Sequence, residues 1–519
     1  MRARLLPVLG LAAGLAPAWP AAAQTLRMAF DSEWTAVDPH FHSYPQNLSV
    51  AHHVFDALVE VGPDSRVRPK LATSWRAVDP LTWEFTLRDG VTFHDGSEFG
   101  AEDVAASIER VPKVPNSPGS LTPQIRAIKG MEVKDRRTIA FKLGQPEPLL
   151  PELLSDIYIV PSELKDATTE DFNTGKAAIG TGAFRLGGWS RGDRLTLRRH
   201  DGYWGDKPAW KEVDIRVITN AATREVSLLS GEVDFIQSPS TSSLKRIEAD
   251  PKIVVHKVPS TRITYLQVDQ NPAPKSDLSV SGGRNPFADV RARRAVSMAI
   301  PRQAIAERIM DGLALPASQL VPPGHPGHAP AVKLEPYDLA GAKQLLAEAG
   351  FPDGFAVTLS TPNDRNVNGV KVAEAIAQSL ARIGIKVTVN AVPLPVYLTA
   401  WRKGSYGMVM HGAGPPPATL LLLPQLAGSK NEARALGRSN ESGYGNPKLD
   451  DVLVRLGQEL DGARAEGLVR EAAAVIRDDV AVVPLHHEMV VWASRRGLDF
   501  AARGDARTWA TGVAPAKSQ

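Results

Sequence analysis

Apolar residues recur along this chain at two spacings, and each change of spacing marks a change of element. In "LTWEFTLRDG", Trp83, Phe85 and Leu87 alternate with polar neighbours, the period-two pattern of a strand with one buried face. The "RDG" that follows predicts a turn into a second short strand, making a hairpin. Short runs at "TLRMAF", "TIAFKL", "RLTLRR" and "VDIRVI" predict further strands. Helical spacing appears in "GAEDVAASIERV", where Val104, Ile108 and Val111 share a face and Glu102 and Asp103 fall in the first turn. "LSVAHHVFDALVE" reads as a helix after a turn-rich loop, and "NAATREVSLLSGEVDFI" as a helix stopped by Gly231 and followed by a strand. The first half is therefore mixed α and β.

The later half is more regular. "DLAGAKQLLAEAG" is a helix ending at Gly350, "FAVTLST" a strand, "NGVKVAEAIAQSLARIG" a helix ending at Gly384, and "IKVTVNAV" a strand. Strand, helix, strand predicts a parallel crossover. "MVMHGAGPPP" then reads as a buried strand that ends at Met410 and empties into a loop of His411, small residues and three prolines. No internal repeat is visible, and "SDLSVSGGRNPFADV" and "PPGHPGHAPAVKLEPYD" read as surface excursions.

At 519 residues the chain exceeds one core and should form two or three packed units. Residues 1–23 open with Arg2 and Arg4, continue with an apolar stretch broken by Pro7, Gly10, Gly14 and Pro17, and end with Ala21 and Ala23 at cleavage spacing. That is a secretory signal rather than a membrane span, which needs about 20 unbroken apolar residues. Its removal would take Arg2 and Arg4, and no acid, from the chain, lowering the formal charge from +3 to +1. Near neutrality without charge runs excludes a nucleic-acid footprint and a polybasic membrane patch. The absence of cysteine excludes disulfides, thiolate chemistry and a lipid-bearing N-terminal cysteine. A periplasmic protein, not a lipoprotein, fits these features.

Ligands of open α/β sheets bind beyond the carboxyl ends of strands. Three loops have that position. In the first, after "TLRMAF", Ser32 can donate to a ligand or bond its own backbone, and Trp34 and Tyr44 can stack on a ligand or wall a cleft, with ordinary packing under the loop as the structural alternative. In the second, after "FAVTLST", Arg365 is suited to a bidentate grip on a carboxylate, with Asn363 as an amide neighbour; pairing with Asp364 is the structural alternative. The third offers His411, Gly412 and Gly414. No GxSxG elbow and no GxxxxGK[ST] phosphate loop is present, and an enzyme is not expected. His40, His42, His52, His53, His411, His486 and His487 raise a metal-binding alternative, although adjacent histidines on a strand point to opposite faces.

The run "LATSWRAVDPLTWEFTLRDGVTFHDGSEFGAEDVAASIERV", followed in order by "IGTGAFRLGGWSRGDRLTLRRHDGYWG", "FADVRARRAVSMAI", "YDLAGAKQLLAEAGFPDGF", "RIGIKVTV" and "YGNPKLDDVL", resembles the family 5 solute-binding proteins of ABC importers, the dipeptide and oligopeptide-binding group. The resemblance implies an α/β fold of two lobes, the periplasmic-binding-protein type II or Venus flytrap, with an extra subdomain in lobe one. It implies lobe one at 24–260, the extra subdomain at about 56–179, lobe two at 261–481, and a C-terminal return to lobe one at 482–519. A monomer without cofactor, which delivers a peptide-like or small organic ligand to an inner-membrane ABC permease, is the expectation; a nickel- or haem-type chelate binder of the same fold is the alternative. Peptide-binding relatives carry an aspartate in the third loop for the ligand's amino group, and commonly a tryptophan near its start. Here Ala413 stands at about the tryptophan's place, and Gly414, Pro415, Pro416 and Pro417 replace the acidic stretch. An ordinary free-amine dipeptide should therefore be disfavoured unless Asp31 or Glu33 reaches across the cleft.

Overall fold

The computed structural model describes residues 25–414 and 419–516. The expected leader at 1–23 and the prolines at 415–417 lie outside these residues. A twelve-stranded sheet runs through both halves of the protein. In the first half, Thr25–Phe30 lies parallel to Glu212–Val217 and to Phe235–Gln237, and the Phe184–Ser190 and Arg194–Arg199 strands extend the sheet outward. In the second half, Phe355–Pro362 lies parallel to Ile385–Val392 and to Met408–Ala413. Helix Gly369–Ala381 connects the first two of these, as the crossover pattern required. Gly231 and Gly384 follow their helices at φ +80 and +94, a left-handed backbone that glycine adopts without steric cost.

Two long antiparallel strands, Ile253–Val268 and Val483–Arg495, join the halves. Their register shifts between Pro259 and Ile263, and the hydrophobic core changes at the same level. Trp492 packs in a cluster with Phe30, Trp34 and Phe235, whereas Leu266, Val483 and Leu485 pack with Leu359, Met408 and Met410. Leu485 is the last residue of this strand in the second core. Residues Leu498 and Val513, on a small C-terminal two-stranded sheet, pack into the first core. A buried ion pair between Arg507 and Asp156, 2.6 Å long, ties this segment down.

A separate four-stranded sheet, in the order Ala72–Asp79, Thr82–Leu87, Thr138–Leu143, Ile128–Asp135, shares the first core. It corrects one expectation. Thr82–Leu87 forms its hairpin with the preceding strand, across Pro80 and Leu81, and not with the residues after Gly90, which make only the single bridge Thr92–Glu98. Aromatic cross-strand packing decides the pairing: Phe85 stacks on Trp75 at 6.2 Å and meets Phe141 edge-on at 5.4 Å. Among the described residues no helix is long and apolar enough to cross a membrane.

Candidate ligand-binding site

The second half presents its loops where Phe355–Pro362 and Met408–Ala413 end. After Pro362 the chain turns through 363–368, and Asn368, in a left-handed conformation at φ 52, precedes helix Gly369–Ala381. The Asn368 amide donates to the Ile309 carbonyl at 2.9 Å and fixes the turn. Asp364 is engaged elsewhere, because the Leu394 N–H donates to its carboxylate at 3.0 Å at the start of helix Leu394–Arg402. Arg365 is therefore not held by Asp364. Its side chain is exposed, and among the described residues it has no hydrogen-bond or ion-pair partner. The Asn363 N–H donates to the Val392 carbonyl at 3.0 Å, and its side chain is exposed.

Beside Arg365 lies a group of residues that sequence reasoning missed. Arg262, near the register shift of the long strand, donates from Nη2 to Asn366 Oδ1 at 3.0 Å. Its Nε stands 3.8 Å from Glu488 Oε1, within ion-pair range but beyond a hydrogen bond. Arg262 Nε, Asn366 Nδ2 and Glu488 Oε1 are all buried without a hydrogen-bond partner. Gly412 makes room for this arrangement: a Cβ there would stand 2.5 Å from Asn366 Oδ1 and 2.6 Å from Arg262 Nη2. Gly414 backs on to Arg262 in the same way, with its would-be Cβ 3.2 Å from the arginine Cα. Burial and the Arg365 charge push the Arg262 pKa down, against the pull of Glu488. Burial raises the Glu488 carboxyl, opposed by Arg262, the Val367 N–H and Arg365. An acid inside the apolar run "HHEMVVW" was the available sequence signal for Glu488; Arg262 and Asn366 gave none that distinguishes them from surface residues.

The third loop starts later than expected. His411 and Gly412 belong to the Met408–Ala413 strand, and period two sends them to opposite faces. The His411 ring stacks on Tyr397 and Trp401 at 5.4 and 5.1 Å and meets Tyr265 edge-on at 6.0 Å. Burial, then the charges of Arg262 and Arg365, push its pKa down to about 4, so the ring is neutral at pH 7. His411 is a packing residue under the strand rather than a loop side chain.

In the first half, Ser32 donates to Asp31 Oδ1 at 2.8 Å and accepts from Gln46 Nε2 at 2.7 Å. Glu33 lies 3.6 Å from Arg191. Trp34 takes the packing alternative, since it has no exposed surface and packs edge-on against Phe30 at 6.0 Å. Tyr44 is 39% exposed and stacks on His42 at 5.6 Å. The Arg224 guanidinium donates to the carbonyls of Gln237, Ile218, Thr219 and Ser238 and closes this end of the sheet.

The histidines do not converge. His52 stacks on Trp509, His53 accepts from the Ala510 N–H at 2.9 Å, His40 meets the Tyr158 carbonyl at 2.7 Å, and His487 faces the Arg262 carbonyl at 3.3 Å. Among the described residues no group of three or more His, Asp or Glu side chains is placed to hold a metal ion.

The family of bacterial extracellular solute-binding proteins, family 5 (middle), matches residues 66–432. The chain belongs to that family. The glutathione-binding protein GsiB of Salmonella typhi is 28% identical over 509 residues, which cover 95% of this chain and 94% of GsiB. HbpA2 from Haemophilus parasuis superposes with a TM-score of 0.84 at 22% identity, over 95% of this chain and 100% of HbpA2. The periplasmic binding protein DppA from Helicobacter pylori, in complex with the peptide STSA, gives a TM-score of 0.70 at 26% identity, over 95% and 98%. The fold is thus the two-lobed periplasmic-binding-protein clamp. Its function is solute binding, and the metal alternative is not favoured.

Proposed function

We propose that this family 5 protein binds a peptide-like or small organic acid in the periplasm and delivers it to an ABC permease, acting as a monomer and without catalysis. Arg365 carries the reading. It stands at the carboxyl end of a parallel strand, one turn before the N-terminus of a 13-residue helix, with its charge uncompensated by a direct partner among the described residues. A guanidinium in that place grips a carboxylate bidentately, and the helix end adds favourable potential. Asn363 flanks it. From the other half, Ser32 and Tyr44 complete the contact surface on closure, while Gly412 and Gly414 shape the wall. The relatives named for glutathione and solved with a peptide support a ligand bearing a terminal carboxylate. Lobe one comprises 24–260 and the C-terminal return, lobe two the segment between, and closure over the solute shifts an open-closed equilibrium that the permease reads.

The leader sequence supports export with cleavage after Ala23 and no lipid anchor. Native mass spectrometry of freshly purified protein, with a melting screen over peptides and organic acids, tests the reading. A ligand at about 100 times its dissociation constant stabilises by about 2.7 kcal/mol. Arg365→Ala should then weaken binding of that ligand by roughly 2–5 kcal/mol and Arg365→Lys should restore part of it. Unchanged affinity in both variants refutes the assignment.

A further inference from the structure

Four observations converge on one corner of the second half. Two arginines share it, and the field of Arg365 is felt by Arg262, by Glu488 and by His411. Arg262 and Glu488 face each other at 3.8 Å without completing a hydrogen bond, a loose pair where a tight one would reach about 2.8 Å. The Asn366 amide orients Arg262 through its oxygen and keeps its two N–H donors unpaired. Gly412 and Gly414 leave the room that these side chains fill. Three buried polar atoms of this one contact group, Arg262 Nε, Asn366 Nδ2 and Glu488 Oε1, have no partner within the protein and are free to bond a solute. Arg262 remains one-fifth exposed, so a solute can reach it.

We propose that Arg262 is a second ligand anchor beside Arg365, that Glu488 is the internal counter-ion holding Arg262 until the ligand arrives, and that the ligand is an anionic acid with no free ammonium at this end. The inference rests on the proposed role of Arg365 and extends it to a ligand class. Two guanidinium groups and one ionised carboxylate leave the corner with a charge of +1, which one ligand carboxylate neutralises. An ammonium brought to the same corner meets two like charges, and the Glu488 carboxylate there already faces Arg262. A desolvated ammonium without a partner is strongly disfavoured. Burial already presses Glu488 toward its neutral form, so surrendering Arg262 to a ligand carboxylate is inexpensive for it.

The test uses the mature protein and titration calorimetry with N-acetyl-dialanine, succinate, glutathione and dialanine as probes. N-acetyl-dialanine or succinate should bind at least tenfold more tightly than dialanine. Arg262→Gln should weaken that binding at least tenfold with the circular dichroism spectrum unchanged. Glu488→Gln should tighten it severalfold, because it removes the competing carboxylate, and this opposite sign is one that mere structural damage does not produce. If the acids bind and Arg365→Gln abolishes binding while Arg262→Gln does not, this inference falls and the Arg365 reading stands. Dialanine or glutathione binding tightly, with loss on Glu488→Gln, would make Glu488 an ammonium acceptor and overturn the inference. Binding of none of the acids overturns both readings.

Discussion

The carboxyl ends of the sheet strands carry polar side chains in both halves of the protein, but in opposite states. In the first half Arg224 is almost fully buried and spends its donors on four backbone carbonyls. Asp31 accepts from Ser32 and Gln46, and Gln237 bridges the Asp31 N–H and Thr508; Trp34 Nε1, Gln46 Oε1 and Arg216 Nε are left over there among the described residues. In the second half Arg365 has no direct partner among the described residues, and Arg262, Asn366 and Glu488 each keep a buried polar atom unpaired. A hydrogen bond met within the fold adds about 1 kcal/mol of stability, whereas an unmet buried group costs about 1–3 kcal/mol. The first wall is therefore built for rigidity. Under the proposed reading, the second leaves its groups for a ligand to complete.

Acid is the perturbation that should erase this difference and have the largest effect. His40, His53 and His94 in the first half, and His411, His486 and His487 in the second, are each pushed down to about 4, chiefly by burial. A free histidine titrates near 6.5, so as pH falls the unfolded chain takes up each proton before the folded one does. Stability is complete above about pH 6.5, declines toward pH 4, and levels off below. Each buried ring contributes on the order of 3 kcal/mol to that loss. Thermal melts from pH 7.5 to 4 should show the midpoint falling steeply through this window, with both halves unfolding together. A midpoint flat across it would mean that these rings are protonated in the folded protein.

Arginine removal should bring the difference back. Arg224→Ala leaves four carbonyls at the sheet end without their donor and should cost about 3 kcal/mol in urea denaturation. Arg365→Ala removes an exposed guanidinium with no direct partner and should change stability by less than about 0.5 kcal/mol. Equal losses in the two variants would show that the second wall is as structural as the first.

Much of this organisation was legible in the sequence, and the failures share a cause. Regular period and clean stop residues gave the strands Thr138–Leu143 and Arg194–Arg199, the crossover through Gly369–Ala381 and the family itself. Pairing partners were harder. Trp83, Phe85 and Leu87 announce a strand but not which neighbour their aromatic face will meet, and Trp75 and Phe141, distant in different senses, decided it. At the proposed site, a turn and a helix start frame Arg365 in the sequence. A polar loop conceals how deeply Trp34 is buried. Arg262, Asn366 and Glu488 lie on three segments more than 100 residues apart, and their meeting depends on the register of the two long strands, which no local pattern encodes.

The smallest change proposed is a single methyl group. Gly412→Ala introduces a Cβ that would stand 2.5 Å from Asn366 Oδ1 and 2.6 Å from Arg262 Nη2, nearer than atoms tolerate. Both obstacles are ends of flexible side chains, so the fold yields by moving them and the stability change should stay within about 1 kcal/mol. Arg262 and Asn366 must then separate, and binding of an acidic ligand should weaken about tenfold, or about 1.4 kcal/mol. Gly188→Ala supplies the control in the first half, because a Cβ there meets nothing within 4 Å and should alter neither melting nor binding. If calorimetry gives Gly412→Ala the wild-type affinity while Arg365→Ala is impaired, the placement of Arg262 against Asn366 is irrelevant to the ligand, and the contrast between the two walls reduces to one arginine.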